Sequence, residues 1–410
     1  MKSSPERFHA SILTIGDELL KGSTLNSNAQ YLAKELTHMG FFVVHQISCP
    51  DEIKQIQRYL QLSLEHSDLV ILSGGLGPTP DDLTRDAIAA YFQAKLQFSS
   101  QQYKKIQKVY QRYGKKVPSM VKKEAMFPAG SRPILNHYGI ALGFWMQHQK
   151  KSVIALPGVP KELEKMFELD VKPLIQKRFA LKPRPCLVVK TIGISEPEVM
   201  KCLQKDFFDD PFEFGIYPSE GEVALRLYGS EPVLKKLKKK VMDRLHENVY
   251  AYEEELLVAS IGSILEKKRQ TLALAESCTG GLIASMITHL PGASRFFRGG
   301  VVAYDNQVKT DQLGVPAELI RKFGAVSEQT VCAMAVGARW LMNADYALAV
   351  SGVAGPDGDS SKKPVGRVYM ALATPFGVRV IERDFWGNRG QIQTKASKKA
   401  LEILWREIAR

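Results

Sequence analysis

Short apolar runs alternate along this chain with longer stretches whose apolar residues recur every three or four positions, the mark of buried strands between amphipathic helices. Residues 10–15 predict a strand that ends in the turn Gly16-Asp17-Glu18-Leu19-Leu20. Ser27 or Asn28 can cap a helix that runs to Met39, where Gly40 stops it. A second strand over 41–47, helical spacing over 51–64 and a third strand over 68–72 follow. The third strand breaks into Ser73-Gly74-Gly75-Leu76-Gly77-Pro78-Thr79-Pro80-Asp81-Asp82-Leu83-Thr84, and a helix runs on to about Ala94. Strands alternating with helices imply a parallel sheet with sites at the carboxyl ends of its strands.

The proline-bearing pieces Lys172-Pro173 and Lys182-Pro183-Arg184-Pro185 mark a boundary. Beyond it, 187–191 predicts a strand, Gly193-Ile194-Ser195-Glu196-Pro197-Glu198 opens a helix, and 214–218 with 222–228 alternates as a hairpin. A helix over 234–246 carries Lys235, Lys236, Lys238, Lys239 and Lys240. From residue 253 the alternation resumes: helix 256–267, a strand from Leu272, helix 282–289 stopped by Pro291-Gly292, strand 296–304, and a helix from Ser327 to Trp340. Strands over 344–350, 366–373 and 378–385 precede a last helix after Trp386-Gly387-Asn388-Arg389. The expected fold class is α/β in three parts: a parallel-sheet domain over 1–170, a small α+β module over 171–252 and an α/β domain over 253–410.

A chain of 410 residues is long enough for each part to bury its own core. The formal charge of +13 suits acidic or phosphorylated partners, although the excess is scattered as on a solvated surface. Five dispersed cysteines without a CxxC spacing suggest a reducing cytosol, so a cytoplasmic location is expected. No apolar run reaches membrane-spanning length, and the opening residues do not read as a signal peptide.

The richest chemistry lies in Leu272-Ala273-Leu274-Ala275-Glu276-Ser277-Cys278-Thr279-Gly280-Gly281. A strand, a small polar turn and a helix start point the N–H groups of Thr279, Gly280 and Gly281 at an anion, a phosphate or an oxyanion. The simpler reading is a Ser or Thr helix cap. Ser277, Cys278 and Thr279 bring three nucleophile types to one place. The only histidine after residue 253 is His289, at the far end of the following helix, so a Ser-His-Asp triad is poorly supported. A buried lysine can serve as base instead. Lys309 is the leading choice, with Tyr304 as proton relay, set against the simpler reading of a surface lysine after a strand. Cys278 stays open as nucleophile because a thiol is intrinsically the better one. Ser351 and Gly352 begin another Gly-rich loop, and Arg389 can hold a phosphate bidentately.

In the first part, Gly74, Gly75 and Gly77 with Thr79 form a turn that lets backbone approach a phosphate. Asp17, Glu18, Asp81 and Asp82 end two strands and offer the oxygen ligands that a Mg²⁺-like divalent metal takes; one of Asp81 and Asp82 can cap the next helix, but a cap alone does not call for a Gly-rich turn of this length. The five lysines of 235–240 can contact a nucleic acid backbone, but no Gly-x-x-Gly clamp accompanies them, so a solvated face is expected and nucleic acid is not.

Taken in order, these segments resemble the CinA (competence/damage-inducible protein) family. Gly16-Asp17-Glu18-Leu19-Leu20, the Gly74–Thr84 stretch and Leu156-Pro157-Gly158-Val159-Pro160-Lys161-Glu162-Leu163 are similar to its molybdopterin-binding-like domain. Tyr217-Pro218, Glu222 and Arg226 are similar to its KH-like middle domain. Glu276–Gly281, Gly300–Asn306 with Lys309, Gly324–Ser327, Ser351–Pro356 and Lys363–Gly366 are similar to its C-terminal domain. The resemblance implies a nicotinamide mononucleotide amidohydrolase at the C-terminal end that needs no cofactor. Ser277 is then its nucleophile, Lys309 its base, and Tyr304, Ser351 and Arg389 its positioning or phosphate-binding groups. It also implies metal-dependent ADP-ribose pyrophosphatase activity in the first domain, and a homodimer. Three departures stand out. Gly139-Ile140-Ala141-Leu142-Gly143 follows Asn136 where the family usually has Gly-Thr-Ala-Pro-Gly, Asp359 stands where it often has Gly, and Gln393 where it commonly has a second Arg. The rival classes are a pyrophosphatase with a non-catalytic C-terminal binding module, and a nucleic-acid-associated adaptor.

Overall fold

The computed structural model describes residues 8–181, 184–358 and 363–409, so Asp359 lies outside the described residues. The chain divides into two compact units, Met1–Arg184 and Pro185–Arg410.

In the first unit, Phe42–Cys49, His9–Ile15, Leu69–Ser73 and Lys151–Leu156 pair in that order as a parallel sheet. Gly143–His148 and Arg132–Ile134 extend it antiparallel; the pattern along the sequence predicts neither of them, nor the Lys151–Leu156 strand. Side chains alternate across a sheet, so Ala10 and Ile12 enter one core with Leu32 and Leu36, while Leu13 and Ile15 enter the other with Ile56 and Leu60. The helix Lys172–Phe179 sends Ile175 and Phe179 into the first of these cores, which carries this unit past residue 170, the boundary expected from the sequence. Asn26, rather than Ser27 or Asn28, caps the helix Ser27–Met39 by accepting from the Ala29 N–H at 3.1 Å.

The second unit holds two sheets. Glu213–Ser219, Glu222–Tyr228, Cys186–Ile192 and Val249–Ala251 form an antiparallel sheet in that order. The helices Glu196–Leu203 and Glu231–Leu245 pack Val199, Leu237 and Val241 against its Leu225 and Val189. Three of the five lysines on the second helix have partners in the fold. Lys240 bonds the Asp206 carbonyl, Lys236 lies 3.5 Å from Asp210, and Lys238 sits 4.6 Å from the Tyr252 ring centre. The other sheet runs Phe297–Val302, Leu272–Glu276, Tyr346–Gly352 in parallel, then Arg367–Thr374 and Gly377–Asp384 antiparallel.

Leu272 and Leu274 face a core shared with the helices Leu257–Lys268 and Arg389–Ile408, each burial contributing roughly 1.5–3 kcal/mol. Ala273 and Ala275 face the opposite layer, where the helix Glu328–Leu341 lies against the sheet. The small alanines let that helix approach closely, and the parallel strands deliver their following turns to one edge.

Candidate functional site

The Leu272–Glu276 strand carries Ser277-Cys278-Thr279-Gly280-Gly281 to that edge. The Ser277 N–H donates to the Val350 carbonyl at 2.9 Å, which ties the turn to the neighbouring strand. The helix Leu282–Thr288 begins just beyond. Its first N–H groups are satisfied by Glu276, not by a Ser or Thr cap. The carboxylate accepts from Gly281 at 3.1 Å, Ile283 at 3.1 Å and Ala284 at 2.8 Å. Glu276 is only 1% exposed, and three N–H donors at a helix start are the environment in which a buried carboxylate is tolerated.

This corrects the expected anion cradle. The Gly281 N–H is occupied by Glu276, and the Gly280 N–H donates to the Ser277 carbonyl at 3.0 Å. Of the three, the Thr279 N–H alone has no acceptor among the described residues. The Thr279 hydroxyl beside it is buried and also unpartnered.

Lys309 lies in the helix Asn306–Leu313, which Asp305 caps by accepting from the Gln307 N–H at 2.7 Å. The lysine is 1% exposed, and its Nζ donates to the carbonyls of Ala303 at 2.8 Å and Tyr304 at 3.2 Å. Burial holds its pKa below the ordinary 10.5, while Asp305 and Cys278 pull the other way. A neutral amine has two N–H groups and one lone pair. Both N–H groups are engaged by carbonyls, which leaves the lone pair free to accept a proton. Burial, with Glu276 adding, pushes the Cys278 thiol up to about 12 against the opposing charges of Arg389 and Lys309. Cys278 is therefore a thiol at neutral pH and not an activated nucleophile. The Ser277 hydroxyl is half-buried and makes no hydrogen bond among the described residues, to Lys309 or to any other group.

The other expected groups divide between rim and scaffold. Tyr304 is 59% exposed, and its hydroxyl accepts from Arg389 Nη2 at 2.6 Å. Arg389 Nη1 donates to the Gly355 carbonyl at 2.5 Å, so one guanidinium joins three turns at the rim. Ser351 is buried and gives its hydroxyl to the Ala325 carbonyl at 2.7 Å, and Gly352 pairs with Val368 at the strand end. Gln393, in the sequence only a departure from the family pattern, donates its Nε2 to the Cys278 carbonyl at 2.8 Å and clamps the Ser277-Cys278 turn. Glu276 too, in the sequence only part of a motif, holds the turn through its carboxylate.

The first unit gathers its expected groups less well. A Cβ at Gly74, whose φ is +104°, would lie 2.2 Å from the Ile15 carbonyl, so packing within the fold already requires glycine there. Asp82 accepts from the Thr79 N–H at 2.8 Å and from its hydroxyl, the local turn role rather than a ligand role. Asp17 pairs with Lys21 at 2.7 Å, while Glu18 and Asp81 are exposed. Among the described residues no group of three or more His, Cys, Asp or Glu side chains is placed to hold a metal ion. The four carboxylates do not fit a ready divalent-metal site, and no metal-dependent step is derived from them.

Residues 254–408 match the family described as CinA C-terminal domain, and residues 11–177 match the family described as Probable molybdopterin binding domain. A CinA-like protein of Pseudothermotoga lettingae is 39% identical over 404 residues, covering 96% of this chain and 97% of that one. A CinA-like protein of Thermotoga neapolitana is 38% identical over 404 residues, covering 97% of this chain and 98% of that one. The crystal structure of the protein CinA with unknown function from Thermoplasma acidophilum is 37% identical, with a TM-score of 0.38, and covers 41% of this chain and 98% of that one. The near-complete mutual coverage at this identity, together with the two domain matches in order, places the chain in the CinA family of competence/damage-inducible proteins.

Proposed function

We propose that the second unit hydrolyses the carboxamide of nicotinamide mononucleotide to nicotinate mononucleotide and ammonia. The observation that carries this reading is Lys309, a buried lysine with both N–H groups of its neutral form engaged by carbonyls beside the Ser277 turn. Its lone pair takes the Ser277 proton as Oγ attacks the amide carbon. The oxygen of the tetrahedral intermediate gains charge, and Thr279 offers the uncommitted N–H and hydroxyl to receive it. The lysine returns the proton to the leaving nitrogen, and ammonia departs. Water, deprotonated by the same amine, then cleaves the acyl-enzyme. Arg389 places a positive charge at the rim, where a phosphate monoester can be held. No cofactor enters these steps.

A cytoplasmic homodimer is part of the same proposal, and a nucleic-acid role is not. Metal-dependent ADP-ribose cleavage by the first unit is the second reading, supported by the Gly-rich turn alone.

Ammonia release from nicotinamide mononucleotide tests the proposal, measured with EDTA present and beside Ser277→Ala. Release should survive EDTA and fall by about 10³-fold or more in the variant, the scale for a lost nucleophile. Release abolished by EDTA, or retained by Ser277→Ala, refutes the Ser-Lys route. Absence of ammonia with metal-dependent cleavage of ADP-ribose shifts the activity to the first unit.

A further inference from the structure

We propose that the second unit carries a second small-molecule site, for a compact apolar molecule bearing one anionic group. The site is a partly open cavity of about 360 Å³ whose walls include Leu257, Met286, Leu401, Glu222, His289 and Lys398. That volume lies in the range of about 300–1,000 Å³ typical of small-ligand sites. Four separate elements close around it: the start of the strand Glu222–Tyr228, the start of the helix Leu257–Lys268, the end of the helix Leu282–Thr288, and the middle of the helix Arg389–Ile408.

The polar groups are arranged for an anion. Lys398 Nζ lies 3.6 Å from a Glu222 carboxylate oxygen, too far for a hydrogen bond, and the two side chains are only 20% and 17% exposed. The lysine's N–H donors thus have no acceptor among the described residues, and the His289 ring has none either. A carboxylate or sulfonate set between Lys398 and His289 supplies that acceptor, while the body of the ligand covers Leu257, Met286 and Leu401. Glu222 does not lose its only partner when Lys398 turns to the ligand. The buried Tyr250 hydroxyl already faces that carboxylate as a side-chain partner and keeps it company when Lys398 turns away.

The site does not depend on what Ser277 does, and it is tested without turnover. The probe is 8-anilinonaphthalene-1-sulfonate, which has an aromatic body and one sulfonate, titrated onto the full chain and followed by fluorescence. Saturable binding near one probe per chain is expected. Met286→Trp, which fills the cavity, and Lys398→Gln, which removes the cation, should each weaken it at least tenfold. Trp340→Ser, on the separate apolar face lined by Leu319 and Val336, should leave it unchanged. Near-UV circular dichroism checks that each variant is folded, and the milder Lys398→Gln decides if Met286→Trp is not. Phenylacetate should displace the dye and phenylacetamide should not. Binding untouched by Lys398→Gln, binding lost with Trp340→Ser, or equal displacement by acid and amide overturns the proposal.

Discussion

Replacing Lys309 with methionine separates a catalytic amine from a structural ammonium. Burial lowers the Lys309 pKa in the folded chain, whereas the unfolded chain has the ordinary value of 10.5. Between those two values the unfolded state holds one proton more than the folded state. Unfolding free energy therefore rises with pH across that window, by up to about 1.4 kcal/mol per pH unit, and the term is absent below the folded pKa, where both states are protonated. Lys309→Met keeps the buried volume and removes the titration. Denaturant unfolding of both proteins from pH 7 to pH 10.5 should show wild-type stability climbing relative to the variant toward the alkaline end. Turnover should fall by about 10²–10⁴-fold, the range for a lost general base. Wild-type turnover should also rise with pH up to the folded pKa, since the base works only when neutral. A stability difference that stays flat across the range means Lys309 is charged in the folded chain, and the Ser-Lys mechanism then fails.

Other perturbations reach neighbouring groups. Cys278→Ala should keep ammonia release within a few-fold of wild type, because a thiol pushed up to about 12 is not ionised at working pH; loss of activity on the scale of Ser277→Ala would move the nucleophile. Glu276→Ala strands three N–H groups at the helix start and should cost about 3–9 kcal/mol, from about 1–3 kcal/mol for each unsatisfied group, read as a shift in denaturation midpoint. A shift under about 1 kcal/mol would mean that solvent replaces the carboxylate. In the first unit, burial raises the Glu124 carboxyl from 4.5 to about 7, with Arg85 opposing and Asp82 and Glu162 adding. The folded state holds that proton between the two values and the unfolded state does not. Stability should consequently fall as pH rises from about 4.5 to 7, and Glu124→Gln should remove the fall; parallel curves for the two proteins would refute the shift.

The strands that build the site were legible because they are buried on both faces. Leu272–Ala275 and Tyr346–Val350 are apolar throughout, and the hairpin of Glu213–Ser219 with Glu222–Tyr228 showed its alternation. The antiparallel additions Arg132–Ile134 and Gly143–His148 were not, since the first is only three residues long and the second ends in exposed Gln147 and His148. Ser277, Lys309 and Arg389 stood out by residue type, yet type alone did not give their partners. That Glu276 turns inward to hold a helix start, and that Gln393 returns from 115 residues away to hold Cys278, depend on packing that no local pattern encodes. The carboxylates of the first unit show the converse: Asp82 has the right chemistry for a cation, but its own turn uses it first.

The clamp from Gln393 and the bridge from Arg389 also bear on the order of events as the chain is made. Ser277 and Lys309 are translated well before either. A nascent chain that has reached only the Gly377–Asp384 strand holds Ser277 and Lys309, but lacks the amide on the Cys278 carbonyl and the guanidinium that joins Tyr304 to Gly355. Folding proceeds from the N-terminal side during synthesis. Under the proposed reaction, competence accordingly arrives late and abruptly, when the Arg389–Ile408 helix docks, and a partly made chain does not begin it early.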